Sequence, residues 1–387
     1  MSGFSQIDPD LAQALNEVLA QGASDLHITA GSPPVLRIDG SLKPLQNAPI
    51  WSGEKVAVAL ASALTPSQRT TFDRDLELDF AYTISGGTRF RVNFYQQRGS
   101  IGAAFRIIPS VIKSLAELGI PGSVANFATL PRGLVLVTGP TGSGKSTTLA
   151  ALVDLVNSTR TDHIVTVEDP IEFLYPNKKS VVNQREVGTD THSFATALKH
   201  VLRQDPDVIL IGELRDLETI SVALTAAETG HLVFATLHTQ DAAQTIDRII
   251  DVFPPHQQSQ VRAQLAATLQ GVICQSLVKR LDGNGRVAVT EVLVAMPAIA
   301  NLIREGKTFQ IISSMQAGRA IGMHTMDQHL AELVKTRTIT YETARMSAHD
   351  VDGLERLLER TGAPGSFRHS DSSTSIDFGD AFSGRVD

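Results

Sequence analysis

The stretch Gly139-Pro140-Thr141-Gly142-Ser143-Gly144-Lys145-Ser146 meets the phosphate-binding pattern G-x-x-x-x-G-K-[S/T] at every fixed position. It follows the apolar run Leu134-Val135-Leu136-Val137 and precedes Thr147 to Asn157, which suits a helix. Strand, loop and helix therefore come in the order the pattern needs. Glycines let the backbone curl until successive N–H groups face phosphate oxygens. The helix that follows adds its positive N-terminal end. In this frame Lys145 reaches the β- and γ-phosphates and the Ser146 hydroxyl is the magnesium ligand. The seat for the nucleotide runs from Gly139 through Thr147. A Gly-rich turn with a chance lysine would not bring a strand and a helix with it. The expected ligands are a nucleoside triphosphate and Mg2+.

At 387 residues the chain exceeds one ordinary core, which predicts two domains. With 42% apolar and 19% charged residues the composition is globular, not disordered or fibrous. The balance of 34 basic against 41 acidic residues gives −7, which argues against a general nucleic-acid coat. A single cysteine, Cys274, excludes an intramolecular disulfide and a cysteine-based zinc site. It reads as a small buried apolar residue in a helix. No stretch reaches the roughly 18 apolar residues of a membrane span. Met1 to Asp10 lacks the basic start and apolar core of a signal peptide. The expectation is a cytoplasmic protein that meets a membrane only through partners.

Asp10 to Leu19 carries apolar residues at helical spacing, and Gly22 ends the run. Short strand-like pieces follow at Asp25–Thr29, Val35–Asp39 and Glu77–Ile84. In Thr88 to Tyr95, Phe90, Val92 and Phe94 alternate with Arg89, Arg91 and Asn93, so one face is apolar and the other cationic. Ser85-Gly86-Gly87 and Gln97-Arg98-Gly99-Ser100 read as turns around that strand. The next strand alternates Ile101, Ala103, Phe105 and Ile107 with a set containing Arg106. Residues 1–108 thus read as a small antiparallel α/β domain. Residues 109–132, with Pro121-Gly122 and Pro131, read as a linker along the surface. From Gly133 the texture becomes strand–helix alternation, which implies a parallel sheet flanked by helices. Its candidate strands are Leu134–Thr138, Ile164–Glu168, Val208–Gly212 and Leu232–Thr236, with helices at Ser193–Arg203 and Leu217–Thr229. Beyond Asp241 the pattern is mostly helical, with a β-like break at Arg286–Leu293, and this second domain runs over 133–361. Residues 362–387, rich in Ser, Gly and Asp, read as a disordered tail.

Hydrolysis needs an acid that primes water beside the phosphate loop. Val208-Ile209-Leu210-Ile211-Gly212-Glu213 is an apolar strand ending in a carboxylate. If that strand lies beside the loop strand, Glu213 faces the γ-phosphate as general base; the competing reading is a solvated loop acid. Ile164-Val165-Thr166-Val167-Glu168 repeats the pattern and puts Glu168 at the carboxyl end of its strand, where open α/β sheets place ligands. Asp169 and Glu172 are read as a turn acid and a surface acid. His238 closes the strand that starts after His231. It shares the carboxyl edge with Thr236 and Thr239, where it can hydrogen-bond a γ-phosphate. His231 lies at the opposite end. Arg89, Arg91, Arg98 and Arg106 are by default a solvated strand face. Phosphoryl transfer also gains from a cation supplied by a neighbouring subunit, and Arg91 and Arg106 are the candidates for that role.

Four segments together resemble the secretion-type ATPases of pilus and type II secretion machines. They are the phosphate loop, the acidic stretch Thr166 to Phe173, the Gly212-Glu213-Leu214-Arg215-Asp216 strand end, and the histidine stretch Gly230 to Thr239. Two more place the chain closest to the pilus-retraction branch: Ala23-Ser24-Asp25-Leu26-His27 with Pro33 to Gly40, and Ala298 to Glu305. The likeness spans about residues 5–358. It implies a PAS-like α/β N-terminal domain, then a RecA-like P-loop ATPase domain with a helical C-terminal part. It further implies ATP as substrate with Mg2+, and a homohexameric ring in which amino-terminal arginines approach a neighbour's nucleotide. Glu213 would be the catalytic glutamate, Glu168 the acidic-box residue, and His231 and His238 the histidine-box pair. The implied partners are other copies of the chain, an inner-membrane pilus platform protein, and a second retraction or extension ATPase. The implied location is the inner face of the cytoplasmic membrane. One departure is Ala300, where the family usually has arginine; it bears on the coupling of hydrolysis to retraction.

Three rival readings differ in what they require. The extension ATPase usually has an additional N-terminal domain and a cysteine-based zinc site, neither of which is present. A nucleic-acid translocase is disfavoured by the acidic charge and by missing aromatic–basic stretches. A non-hydrolysing, nucleotide-gated scaffold would not need Lys145, Ser146, Glu168 and Glu213 together.

Overall fold

The computed structural model describes residues 7–38, 40–109, 111–283 and 285–361; the tail inferred at 362–387 lies outside the described residues. The alternation in the first hundred residues builds β1 (Asp25–Ile28), β2 (Val35–Ile38), β3 (Ser41–Pro44), β4 (Glu77–Thr83), β5 (Arg89–Gln97) and β6 (Ser100–Ile107). They form one sheet in the order β3-β2-β1-β6-β5-β4, every neighbour antiparallel. Along β5, Phe90, Val92 and Phe94 are fully buried while Arg91 is exposed, as a period of two requires. The buried face packs on α1 (Pro9–Ala20), α2 (Gly53–Ala61) and α3 (Pro66–Asp75), with Leu11, Leu15, Val56, Leu60 and Phe72 in its core. The β5–β6 turn puts Arg98 and Gly99 at φ 45° and 73°, the left-handed pair that a two-residue hairpin needs.

Residues 111–132 do more than run along the surface. A 3-10 helix at Gly122–Thr129 buries Val124, Phe127 and Ala128. The Phe127 ring lies so close to Gly271 that a Cβ there would stand 2.2 Å from it, so the segment is built into the core beneath the second sheet.

That sheet comprises β7 (Gly133–Thr138), β8 (His163–Glu168), β9 (Val181–Glu186), β10 (Val208–Ile211), β11 (Leu232–Leu237), β12 (Leu269–Lys279) and β13 (Arg286–Val294). Its order is β13-β12-β7-β11-β10-β8-β9, parallel throughout except for β13. Helices cover both faces, so the central strands are continuous apolar runs. Val135, Val137, Ile164, Leu210 and Phe234 pack on one side against α4 (Lys145–Thr159). Leu134, Leu136, Val165, Ile209 and Val233 pack on the other. There they meet α5 (Phe194–Val201), α6 (Leu217–Glu228), α7 (Ala242–Asp251) and α8 (Pro255–Thr268). On α7 the buried positions Ala242, Thr245, Ile246, Ile249 and Ile250 make one helical stripe. The helical remainder is α9 (Pro297–Glu305), α10 (Ile311–Ala317), α11 (Met326–Lys335), α12 (Tyr341–Ser347) and α13 (Val351–Thr361).

Two expectations need correction. Cys274 lies in the strand β12, not in a helix, fully buried and accepting a 3.1 Å hydrogen bond from the Thr138 hydroxyl. The chain after Asp241 holds two strands rather than one β-like break, because β12 pairs with both β7 and β13. Among the described residues no helix is long and apolar enough to cross a membrane.

Candidate active site

Parallel strands bring their carboxyl ends to one edge, where open α/β sheets seat ligands. There β7 runs into the loop 139–144, and α4 starts at Lys145. Gly139 and Gly144 take φ 140° and 88°. A Cβ on Gly139 would stand 2.1 Å from the Gln275 carbonyl oxygen, and one on Gly144 2.8 Å from Gln275 Nε2. Backbone sterics as well as the dihedral reserve Gly139 for glycine, and the left-handed φ reserves Gly144. Lys145 is buried; its Nζ donates to the carbonyls of Gly139 (2.7 Å) and Pro140 (3.1 Å) and lies 3.5 Å from His238 Nδ1. Burial lowers the lysine's pKa, and Glu213 pulls it back up.

His238 follows the last residue of β11, and its Nε2 lies 3.2 Å from Glu213 Oε1. The other Glu213 oxygen pairs with Arg215 at 2.8 Å. Burial works to raise the Glu213 carboxyl, but Arg215 and His238 outweigh it and hold the group below the usual carboxylate range. Strand β11 also fixes the corner that carries Glu213: Thr236 Oγ1 donates to Gly212 O, and Leu214 N donates to Thr236 O at 3.0 Å. Lys145, His238 and Glu213 therefore form one connected row. The strand carrying Glu213 is not beside the loop strand, as expected above, but one place further, with β11 between them.

Glu168 ends β8 and is buried. Its carboxylate accepts from Thr166 Oγ1 (2.6 Å), Gln184 Nε2 (3.3 Å) and Glu172 N (3.3 Å), all in the β8–β9 corner. Burial raises its pKa despite those donors. Gly212 lies against it, a Cβ there falling 3.3 Å from Glu168 Cα, so the two carboxylate-bearing strand ends are in contact. His231 sits at the far end of β11, roughly 20 Å away by strand rise. There Nδ1 lies 2.9 Å from Ala226 O and 3.2 Å from Thr229 Oγ1. Arg91 faces Arg106 across β5 and β6; it is exposed and has no ion pair among the described residues. Arg106 is engaged: its Nε donates at 2.7 Å to buried Asp25, whose carboxyl Ser24 and Arg106 hold low against burial.

Three residues escaped the sequence reading. Arg215 stands in the strand-end signature Gly212 to Asp216, which assigns it no role of its own. Gln275 is one polar residue in an apolar run that itself went unrecognised as a strand. Buried Glu186, at the end of β9, accepts from Ile171 N (3.1 Å) and pairs with Arg89 (3.3 Å), tying the acidic turn to the first sheet.

A glycine-lined loop with a buried lysine, in line with a histidine and an ionised strand-end glutamate, defines a P-loop ATPase. The family comparison goes further: the model for type II/IV secretion system proteins matches residues 1–361, and the chain belongs to that family. It is 50% identical over 339 residues to the type IV pilus retraction ATPase PilT of Pseudomonas aeruginosa, covering 88% of this chain and 98% of that one. It is 51% identical over 321 residues to a twitching motility protein of Neisseria gonorrhoeae, covering 83% and 86%. The crystal structure of the pilus retraction motor PilT with bound ADP superposes with a TM-score of 0.84 at 48% identity, covering 89% of this chain and 98% of that one.

Proposed function

We propose that this chain is the motor of type IV pilus retraction, a homohexameric ring that hydrolyses ATP and acts on an inner-membrane platform protein. The row from Lys145 through His238 to Glu213 carries the catalytic part of this reading. Identity at half of the 339 aligned positions with PilT, over nearly that protein's whole length, supports the retraction part. The loop N–H groups and Lys145 hold the phosphates. Glu213, ionised across the neutral range, accepts a proton from the attacking water. His238, touching both ends of the row, reports whether the γ-phosphate is present. Glu168 stiffens the neighbouring strand end and orients the acidic turn.

Magnesium fits the donor set. Among the described residues no group of three His, Cys, Asp or Glu side chains could hold a metal. Ser146 is the protein ligand in this reading, with phosphate oxygens and waters filling the shell, the usual arrangement for Mg2+. The ion would spread charge off the transferring phosphoryl group. Arg91 suits the trans role best because it is exposed and has no ion pair among the described residues, whereas Arg106 would first have to leave Asp25. His231 belongs to no part of this site within one chain. A second retraction or extension ATPase is a natural partner of such a ring at the inner membrane face.

Deleting the gene and following fluorescently labelled pili tests the proposal. Fibres that still extend and no longer shorten are expected. Absent fibres, or fibres that shorten normally, would refute it.

A further inference from the structure

We propose that Gln275 is a positioning residue that presets the phosphate loop, aiming the Gly144 N–H at the nucleotide. Gln275 is 3% exposed, and its side chain reaches from β12 to two separate elements. Its Nε2 donates to Ser143 O at 2.8 Å, and its Oε1 accepts from the Thr148 hydroxyl at 2.7 Å. Thr148 is fully buried in the first turn of α4. The amide orientation is therefore determined: the Ser143 carbonyl can only accept, so the nitrogen must face it. A trans peptide is planar, with its C=O and N–H on opposite sides. Holding Ser143 O toward β12 turns the Gly144 N–H away from β12, to the side where phosphate binds. The same residue's main chain and side chain crowd Gly139 and Gly144, the first and last glycines of the loop. One residue thus sets the loop's width, one peptide plane and its distance from α4. Without that tie the peptide is free to rotate, and nucleotide binding has to order it.

The inference rests on this loop being the nucleotide seat, so Lys145→Ala is the control. The full-length chain is used, with binding of a fluorescent ADP analogue, steady-state ATP turnover, and thermal unfolding without nucleotide. Gln275→Glu fills the same space but places an acceptor against the Ser143 carbonyl, so a cavity cannot account for its effect. Both Gln275→Ala and Gln275→Glu should raise the Kd about tenfold, the scale of one strong hydrogen bond to phosphate, with Glu the worse. KM should rise more than kcat falls, because the loop grips ground and transition states alike. Thr148→Val should weaken binding in the same direction, and Thr148→Ser, which keeps the hydroxyl, should recover most of the loss. Folded Gln275 variants with wild-type affinity, or a fall in kcat at constant KM, would overturn the assignment. Wild-type binding by Lys145→Ala would instead overturn the loop as the seat.

Discussion

Glu213→Gln tests the catalytic row most directly, because it removes charge while keeping shape and hydrogen-bonding reach. Two effects compete and their sizes differ. The ion pair with Arg215 is lost, but the Arg215 side chain is 61% exposed, so that contact is worth about 0–1 kcal/mol. The fold should survive with little change. The amide cannot take the proton from water, which removes a contribution of about 10² to 10⁴ in rate. That corresponds to about 3–5 kcal/mol in the barrier, several times the stability cost. Nucleotide binding should hold or tighten, since a negative charge leaves the neighbourhood of the phosphates. Phosphate release gives turnover, a fluorescent nucleotide gives affinity, and thermal unfolding checks the fold. Turnover within about threefold of wild type in a folded, nucleotide-binding Glu213→Gln protein would remove Glu213 from the chemistry.

If Arg91 acts on a neighbour's nucleotide, rings mixed from Arg91→Ala and Glu213→Gln chains should regain turnover that neither variant has alone; inactive rings of verified mixed composition would rule this out. Acid should weaken the fold through His324, which burial holds at about 4 rather than 6.5. The folded chain keeps it neutral while the unfolded chain takes up the proton. The stabilisation is therefore complete above about pH 6.5 and fades as pH falls toward 4, by up to roughly 3 kcal/mol. The Tm of His324→Gln should fall less than that of wild type between pH 6.5 and 4.5, and parallel declines would contradict the assignment.

The loop was legible in the sequence because its chemistry is local: eight consecutive residues supply the turn, the cation and the hydroxyl. The strands β7, β8, β10 and β11 were legible for the related reason that each is a short apolar run bounded by turns. β12 was not, since Val272-Ile273-Cys274 is buried on both faces and a continuous apolar run has no period that distinguishes strand from helix. Strand order is not written in any single run, so nothing local shows that β11 stands between the loop strand and the strand of Glu213. Arg106 looked available because its partner Asp25 lies 81 residues away and faces it only through β1–β6 pairing. The motif that contains Asp25 was visible as a signature, while its work in holding a cation across a sheet was not. Gln184 and Glu186, which hold the acidic corner, lie on β9, an edge strand whose mixed polar sequence gives no apolar alternation.

The strand order explains why this site needs a histidine at position 238. Pairing of Thr138 with Leu237 and of Ile211 with Ala235 brings β7, β11 and β10 to the edge nearly level. Neighbouring strands stand about 4.8 Å apart, so the loop strand and the glutamate strand are separated by about 10 Å. Among the described residues Lys145 and Glu213 form no ion pair, and a side chain on the strand between bridges them. Imidazole can do so because its two nitrogens point to opposite sides, one at 3.5 Å from Lys145 and the other at 3.2 Å from Glu213. An asparagine or serine in its place could not span both partners. A shift of the lysine toward a phosphate removes one of the two neighbours of that ring, which gives the loop and the water-priming acid a shared contact through His238.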